Sequence, residues 1–406
     1  MADVAEQVAR RSYGKLIAFL AARNRDLAAA EDALSEAFAA ALESWPGSGT
    51  PDNPEAWLLT TARRKLIDAS RKLRSGEDAM PQLKLLAEEL SQAADASEPV
   101  PDRRLALMFA CAHPAIEPAM RAPLILQTLL GFDAATIASA FLVSPAAMAQ
   151  RLVRAKIRIR ETGIPFRVPE REELPGRVEA VLDAIYATYS EGWSDPTGTD
   201  VSRGNLTDEC IWLARLVVSL LPDEPEVLGL LALMLHAEAR RAARRDAGGN
   251  YIPLAEQNPD RWNAAMIAEA EQLLHQASRL ASIGRYQLEA AVQSAHAARR
   301  LTGQTDWAAI AGLYGALMRV SGSPVIAINH AIAVSRSQGD APALALLDGL
   351  ATDRRLQDYQ PYWAARADLL ARSGRGAEAA TAYRRAIGLE SDPAVRAFLQ
   401  KKQAEL

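Results

Sequence analysis

The run at 132–161, FDAATIASAFLVSPAAMAQRLVRAKIRIRE, admits few folded shapes. An apolar set at Ile137, Ala140 and Phe141 has helical spacing, the pattern breaks at Leu142-Val143, and a new one starts after Ser144. Serine ahead of a helix can accept a hydrogen bond from an unpaired amide of the first turn. Proline at the next position sacrifices no helical bond, because that amide is free anyway. The second helix is therefore predicted to begin at Pro145. Along it Met148, Leu152, Ala155 and Ile159 fall on one face and would pack inward. The opposite face holds Ala147, Gln150, Arg151, Arg154 and Arg158, with Lys156 at its margin. A short helix, a turn and a second helix with such a face is the shape that lies in a DNA major groove, where Gln pairs with adenine and Arg with guanine. A helical hairpin with a solvated basic face would show the same residues, so the rest of the chain has to discriminate.

Composition narrows the class. A chain of 406 residues is too long for one ordinary core, and Ala, Leu, Arg and Glu dominate it with sparse aromatics, which predicts an all-α fold of several domains. The two cysteines, Cys111 and Cys210, are too far apart in sequence for a disulfide framework or a metal-ligand spacing, and a reducing cytoplasm fits them. The apolar patch at 16–22 runs straight into Arg23 and Arg25 without a small-residue cleavage signal. No apolar run approaches the roughly 20 residues of a membrane span, so the expectation is a cytoplasmic protein with no membrane contact. The net charge of −4 is unevenly spread: residues 1–160 have 20 Lys and Arg against 19 Asp and Glu, and the remainder 26 against 31. Nucleic-acid binding would then rest on local basic stripes and a larger partner rather than on bulk charge.

Residues 1–75 read as a first domain. The second of two helical patterns, LAAAEDALSEAFAAALESW, would bury Ala33, Leu34, Ala37, Ala41 and Leu42 and turn Asp32 and Glu36 to solvent. A Pro- and Gly-rich loop, WPGSGTPDNP, follows, and then a helix from Pro54 through Trp57, Leu58, Thr61, Leu66 and Ile67. That helix has Arg63, Arg64, Lys65, Arg71, Lys72 and Arg74, and after the Glu55 of its first turn the single acid Asp68. A basic helix with a Trp near its start can grip a phosphate backbone while a splayed base sits in the loop before it, although a solvated amphipathic helix has the same pattern.

The stretch WPGSGTPDNPEAWLLTTARRKLIDASRK, with DALSEAF ahead of it, resembles the second conserved region of bacterial extracytoplasmic-function sigma factors of the sigma-70 family. The run at 132–161, preceded by LMFACAHPAIEPAMRAPLILQTLLG, resembles their fourth region. The resemblance implies that Asp32, Glu36 and Phe38 dock on core RNA polymerase, with Ser35 standing where glutamine is usual. It implies that Trp57, Arg63, Arg64, Asp68 and Arg71 serve the promoter −10 element, Arg64 and Asp68 facing it and Arg71 facing the backbone. Gln150, Arg151, Arg154 and Arg158 would serve the −35 element, Gln150 and Arg154 at base-facing positions.

Between the two modules, 76–103 is acidic and rich in Ala and Ser and reads as a flexible linker, and 104–162 as the second module. CAHPAI at 111–116 has Cys111 and His113 but no second ligand pair, which argues against a metal. From 170 the chain reads as helices to its end, 170–300 as one helical domain and 301–406 as repeats. NHAIAVSRSQGDAPALALLDGL aligns with ARADLLARSGRGAEAATAYRRA: Ala331 with Ala367, Val334 with Leu370, Ala343 with Ala379, Leu347 with Tyr383 and Leu350 with Ala386, Gly339 falling near Gly374. Small residues where two helices touch and larger ones at the next interface are how tetratricopeptide repeats stack, which implies a protein or peptide partner. The whole chain resembles the sigma-factor subgroup with a fused helical and tetratricopeptide domain, in which that domain is implied to control activity; Cys111 is followed by Ala112 where a Cys pair is usual.

No Ser-His-Asp set, Gly-rich phosphate loop or paired acidic motif points to an enzyme, so catalytic residues, metals and cofactors are expected to be none. Glu256, Asp260, Arg261 and Trp262 form the cluster with regulatory promise, against the plainer reading of ion pairs bracing helices. The expected function is promoter recognition for core RNA polymerase. The alternative is a DNA-binding regulator with an interaction tail that does not act through polymerase.

Overall fold

The computed structural model describes residues 2–73, 101–141, 143–170, 172–193, 201–280 and 282–406. Most of the expected linker at 76–103 lies outside the described residues. The fold is all-α, and among the described residues extended backbone pairs only at a bridge between Arg245 and Tyr251. The chain divides into two compact units, one of residues 1–193 with 205–210, the other of 194–204 with 211–406.

In the first unit α1 (Ala2–Asn24), α2 (Leu27–Ser48) and α3 (Pro54–Leu73) pack on one another. Asp26 caps α2 by accepting from the Ala29 amide, and the inward stripe is Ala30, Ala33, Leu34, Ala37, Ala41 and Trp45. Leu42 was expected in that stripe and is instead 52% exposed, because Ala41 and Trp45 continue the four-residue step and Leu42 lies a helical sixth-turn or more beyond it. The helix also runs through Pro46 to Ser48, past the expected loop start, and stops where Gly49 takes a φ of 87°. So near its end the only intrahelical bond a proline removes is one that the last turn can spare.

α4 (Arg104–Cys111) and α5 (Pro118–Leu130) pack on α1, and α6 (Ala134–Ala140) and α7 (Pro145–Glu161) pack on each other and on α5. α8 (Leu174–Trp193) lies against α4, α5 and α6. Gly131 ends α5 in the left-handed region at φ 72°, returning its amide to Gln127. His113 accepts from the Ala115 amide at 3.1 Å and so shapes a local turn, while Cys111 is buried against the Thr128 hydroxyl at 3.5 Å. Burial pushes the Cys111 thiol up to about 12.

In the second unit, which takes in most of α9 (Val201–Leu220), α10 (Pro225–Glu238) is apolar on all sides from Val227 to Leu235 and buried from Val227 to His236. Such a helix can only be a centrepiece, and α11 (Ala264–Ser278) and α12 (Arg285–Ala297) pack on it. The short α13 (Arg299–Thr302) leads to paired helices: α14 (Trp307–Val320), α15 (Pro324–Gln338), α16 (Asp340–Gly349), α17 (Gln360–Arg372), α18 (Gly376–Leu389) and α19 (Pro393–Ala404). At the expected offset, Ala331 and Ala367, Val334 and Leu370, Ala343 and Ala379, and Leu347 and Tyr383 are all buried in one core, while Leu350 is only partly buried against it where Ala386 is fully buried. Gly339 and Gly374 both take positive φ, at 102° and 75°, at the equivalent turns. The hairpin at 245–251 reaches α19, where Arg245 pairs with Asp392 at 2.7 Å and Tyr251 meets Phe398 edge to face at 5.7 Å.

Candidate functional site

Local chemistry fixes α7 first. The Ser144 hydroxyl accepts from the Ala147 amide at 3.3 Å with Pro145 in the first turn, and Met148, Leu152, Ala155 and Ile159 are buried. Gln150, Arg151, Arg154 and Arg158 are exposed, as are Ala149 and Val153. The two flanks of the helix differ. On one, Arg151, Arg154 and Arg158 line a cavity of about 220 Å³ with Ile116, Glu117 and Met120. On the other, Lys156 pairs with Glu31 of α2 and Arg160 with Asp26, the residue that caps α2, at 3.1 Å. None of the ion pairs among the described residues involves Arg151, Arg154 or Arg158. A row of unpaired guanidinium groups beside an open amide side chain is equipped to hold phosphates and meet base edges.

Burial lifts the Glu31 carboxyl above its ordinary range even though Lys156 pulls it down. No sequence pattern links these two residues, which lie 125 positions apart. They are the contact that sequence reasoning missed.

On α2, Asp32 and Glu36 face solvent, and Glu36 pairs with Lys65 of α3 at 3.0 Å. Both partners are well exposed, so the pair is worth at most about 1 kcal/mol and yields readily to a competing partner. Phe38 is half-buried and stacks on Tyr13 with ring centres 6.5 Å apart. Burial, and then the nearby Glu31, pushes the Tyr13 phenol far above its usual range.

On α3, Trp57 is half-buried, edge to face with Trp45 at 5.5 Å, and Arg64 and Asp68 are exposed. Arg63 is turned inward instead: it is 6% exposed, its guanidinium lies 5.2 Å from the Phe19 ring centre, and burial with the nearby Arg23 holds it down to about 10. Leu58, Leu59 and Ala62 are buried with it, so Arg63 sits on the packed face of the helix. The side chain of Arg71 lies outside the described residues.

In the second unit Glu256, Asp260 and Arg261 are exposed, while Trp262 is buried beneath Arg299, whose guanidinium lies 5.1 Å from the ring centre. Arg299 donates to the carbonyls of Ala255 and Gln257, at 2.7 and 2.6 Å, and Arg261 donates to the carbonyl of Arg245 at 3.1 Å. Arginines spent on backbone carbonyls hold the loop around Trp262 in shape. Among the described residues, no group of three or more His, Cys, Asp or Glu could hold a metal ion, and no helix is long and apolar enough to cross a membrane.

Comparisons with known proteins bear on both units. Residues 8–76 match sigma-70 region 2, and residues 177–278 match a family of unknown function, DUF6596. An uncharacterized protein of Rhizobium meliloti (strain 1021), R00370, is 39% identical over 396 residues, covering 96% of this chain and 92% of that one. No solved structure matches the chain. The region 2 match spans most of α1, α2 and α3, the helices that set out the Asp32, Glu36, Trp57 and Arg64 faces, so the chain has a sigma-70 region 2 at 8–76, and over its whole length it belongs to one family with its Rhizobium relative.

Proposed function

We propose that the chain is an extracytoplasmic-function type sigma factor with a fused helical-repeat domain, directing core RNA polymerase to promoters that have both a −10 and a −35 element. The sigma-70 region 2 at 8–76 supports core polymerase and promoter DNA as partners. In this reading Asp32, Glu36 and Phe38 of α2 meet polymerase, and Trp57, Arg64 and Asp68 of α3 meet the −10 element. α6 and α7 act as a helix-turn-helix in which Gln150 and Arg154 contact −35 bases while Arg151 and Arg158 hold phosphates. The helices from α14 to α19 stack as tetratricopeptide-like repeats that take a protein or peptide partner and modulate activity.

The observation that supports the −35 assignment is the pairing pattern on α7: its inner flank is neutralised by α2, and its outer guanidinium groups have no partner among the described residues. The deciding experiment is reconstitution of the purified chain with core polymerase and mapping of transcript starts on a genomic library. Arg154→Ala should cut transcription from the cognate promoters while polymerase association stays unchanged, and Arg158→Ala should lower the salt dependence of DNA binding by roughly one phosphate contact. Equal loss of transcription and polymerase association in Arg154→Ala would contradict the assignment.

A further inference from the structure

The second unit has a polar pocket that the proposed promoter contacts do not use. It lies between the short turns at 254–261, the end of α12 and the start of α14, and Leu254, Trp262, His296, Arg299, Thr305 and Trp307 are among the residues that line it. It leaves about 10 Å³ for the centre of a water-sized group, room for roughly one oxygen atom.

Its polar side chains are short of partners. The Trp262 indole is 3% exposed, and its Nε1–H, which can only donate, has no acceptor among the described residues. A buried donor left open is destabilising, and native folds keep few of them. The Arg299 guanidinium lies over the same ring, 5.1 Å from its centre. Two of its five N–H groups reach the carbonyls of Ala255 and Gln257, and it forms no ion pair among the described residues, which leaves three donors and an unmatched charge. Thr305 adds a hydroxyl, and His296 stands edge to face with Trp307, ring centres 5.4 Å apart. Burial, with Arg240 and Arg299 nearby, holds the His296 imidazole down to about 4, so at neutral pH it is uncharged with a single N–H.

Such a pocket selects by sign and by shape. Among the described residues no Asp or Glu lines it, so a cation would meet Arg299 with nothing to offset it. The two oxygens of a carboxylate match a guanidinium fork. One of them has the size of the space beside Trp262, and the other can stay at the rim with Arg299. A phosphate, with three oxygens to seat, is too broad for a space of one. Leu254 and Trp307 supply apolar walls for the group to which the carboxylate is attached. We propose that this pocket binds a small organic carboxylate, with Arg299 holding the charge, the Trp262 indole donating to one oxygen and Trp307 flanking an apolar body. Every residue in it belongs to the second unit, so the site stands or falls separately from promoter recognition.

Benzoate is a suitable probe, because it joins a carboxylate to a flat apolar body, and benzamide is its uncharged counterpart. Calorimetric titration of the full-length chain should show one saturable benzoate site, roughly tenfold tighter than benzamide or inorganic phosphate. Trp262→Phe keeps a ring under Arg299 and removes only the N–H, and it should weaken benzoate binding by roughly tenfold. Arg299→Gln should abolish it. To place the site, phenylglyoxal, which condenses with accessible guanidinium groups, should modify Arg299 more slowly when benzoate is present, while Arg154 of α7 reacts at an unchanged rate by peptide mass spectrometry. Full affinity in either variant, or protection of Arg154 equal to that of Arg299, would overturn the proposal. So would a parent chain with no saturable benzoate binding, in which case a single water satisfies the indole.

Discussion

Burial makes His236 in the second unit costly to ionise. It is 1% exposed on α10, Arg240 lies near it, and together burial and that cation hold its imidazole down to about 4. Glu271 approaches Nε2 at 3.4 Å and would favour the charged ring, but it is 46% exposed, and water screens it. The ring is therefore neutral when folded, with a value below that of the unfolded chain. Stability tied to the neutral ring is complete above about pH 6.5 and is lost as pH falls toward 4. His236→Leu, which fills the site without a titrating group, should flatten this fall. The difference between parent and variant should grow by on the order of 1–3 kcal/mol between pH 7 and 4.5, followed by thermal unfolding. At the same scale, Arg63 shows what sequence cannot display. In a helix dense with Arg and Lys its charge suggests the outer face, whereas the buried neighbours Leu58, Leu59 and Ala62 place it inside against Phe19. Periodicity of the apolar residues held the signal, and charge type masked it. Gln150, Arg151, Arg154 and Arg158 were legible because no such conflict arises on α7.

Between elements, glycine decides how closely helices approach. Gly229 lies where α10 crosses the start of α12, and a Cβ there would come within 2.6 Å of the Gln287 backbone nitrogen. Across the same crossing, the Glu226 carboxylate accepts from the Tyr286 and Gln287 amides at 2.9 and 3.1 Å, filling the place of an N-cap from another helix. Gly229→Ala should push the two helices apart and cost about 1–3 kcal/mol, since the obstructing atoms are backbone and cannot rotate away. A thermal midpoint unchanged within error would refute the crossing. Helix starts were readable where a cap announces them, as at Ser144-Pro145, and so was the inward face of α7. The end of α2 was not, because Pro46 reads as a stop when seen in a string and is harmless in a last turn. The cross-helix cap by Glu226 leaves no local trace at all.

For the molecule as a whole, pairings between distant residues set what the fold can do, and those were least legible. Glu31 and Lys156 show it in the first unit, Arg245 and Asp392 in the second, where 147 positions separate the partners. Asp392 also caps α19, accepting from the Ala394 amide at 2.8 Å. Asp392→Asn preserves a capping oxygen and removes only the charge shared with Arg245. Amide hydrogen exchange should then quicken together in 245–251 and in α19, with a cost of about 1 kcal/mol. Quickening in α19 alone would mean that the two segments are not coupled. Because the stacked hairpins end against a hairpin that precedes them in the chain, they cannot be lengthened or shortened as open-ended arrays are. Duplicating or losing one helix pair would carry the last helix away from its seat, so homologous chains should vary in the residues on these helices while keeping their number.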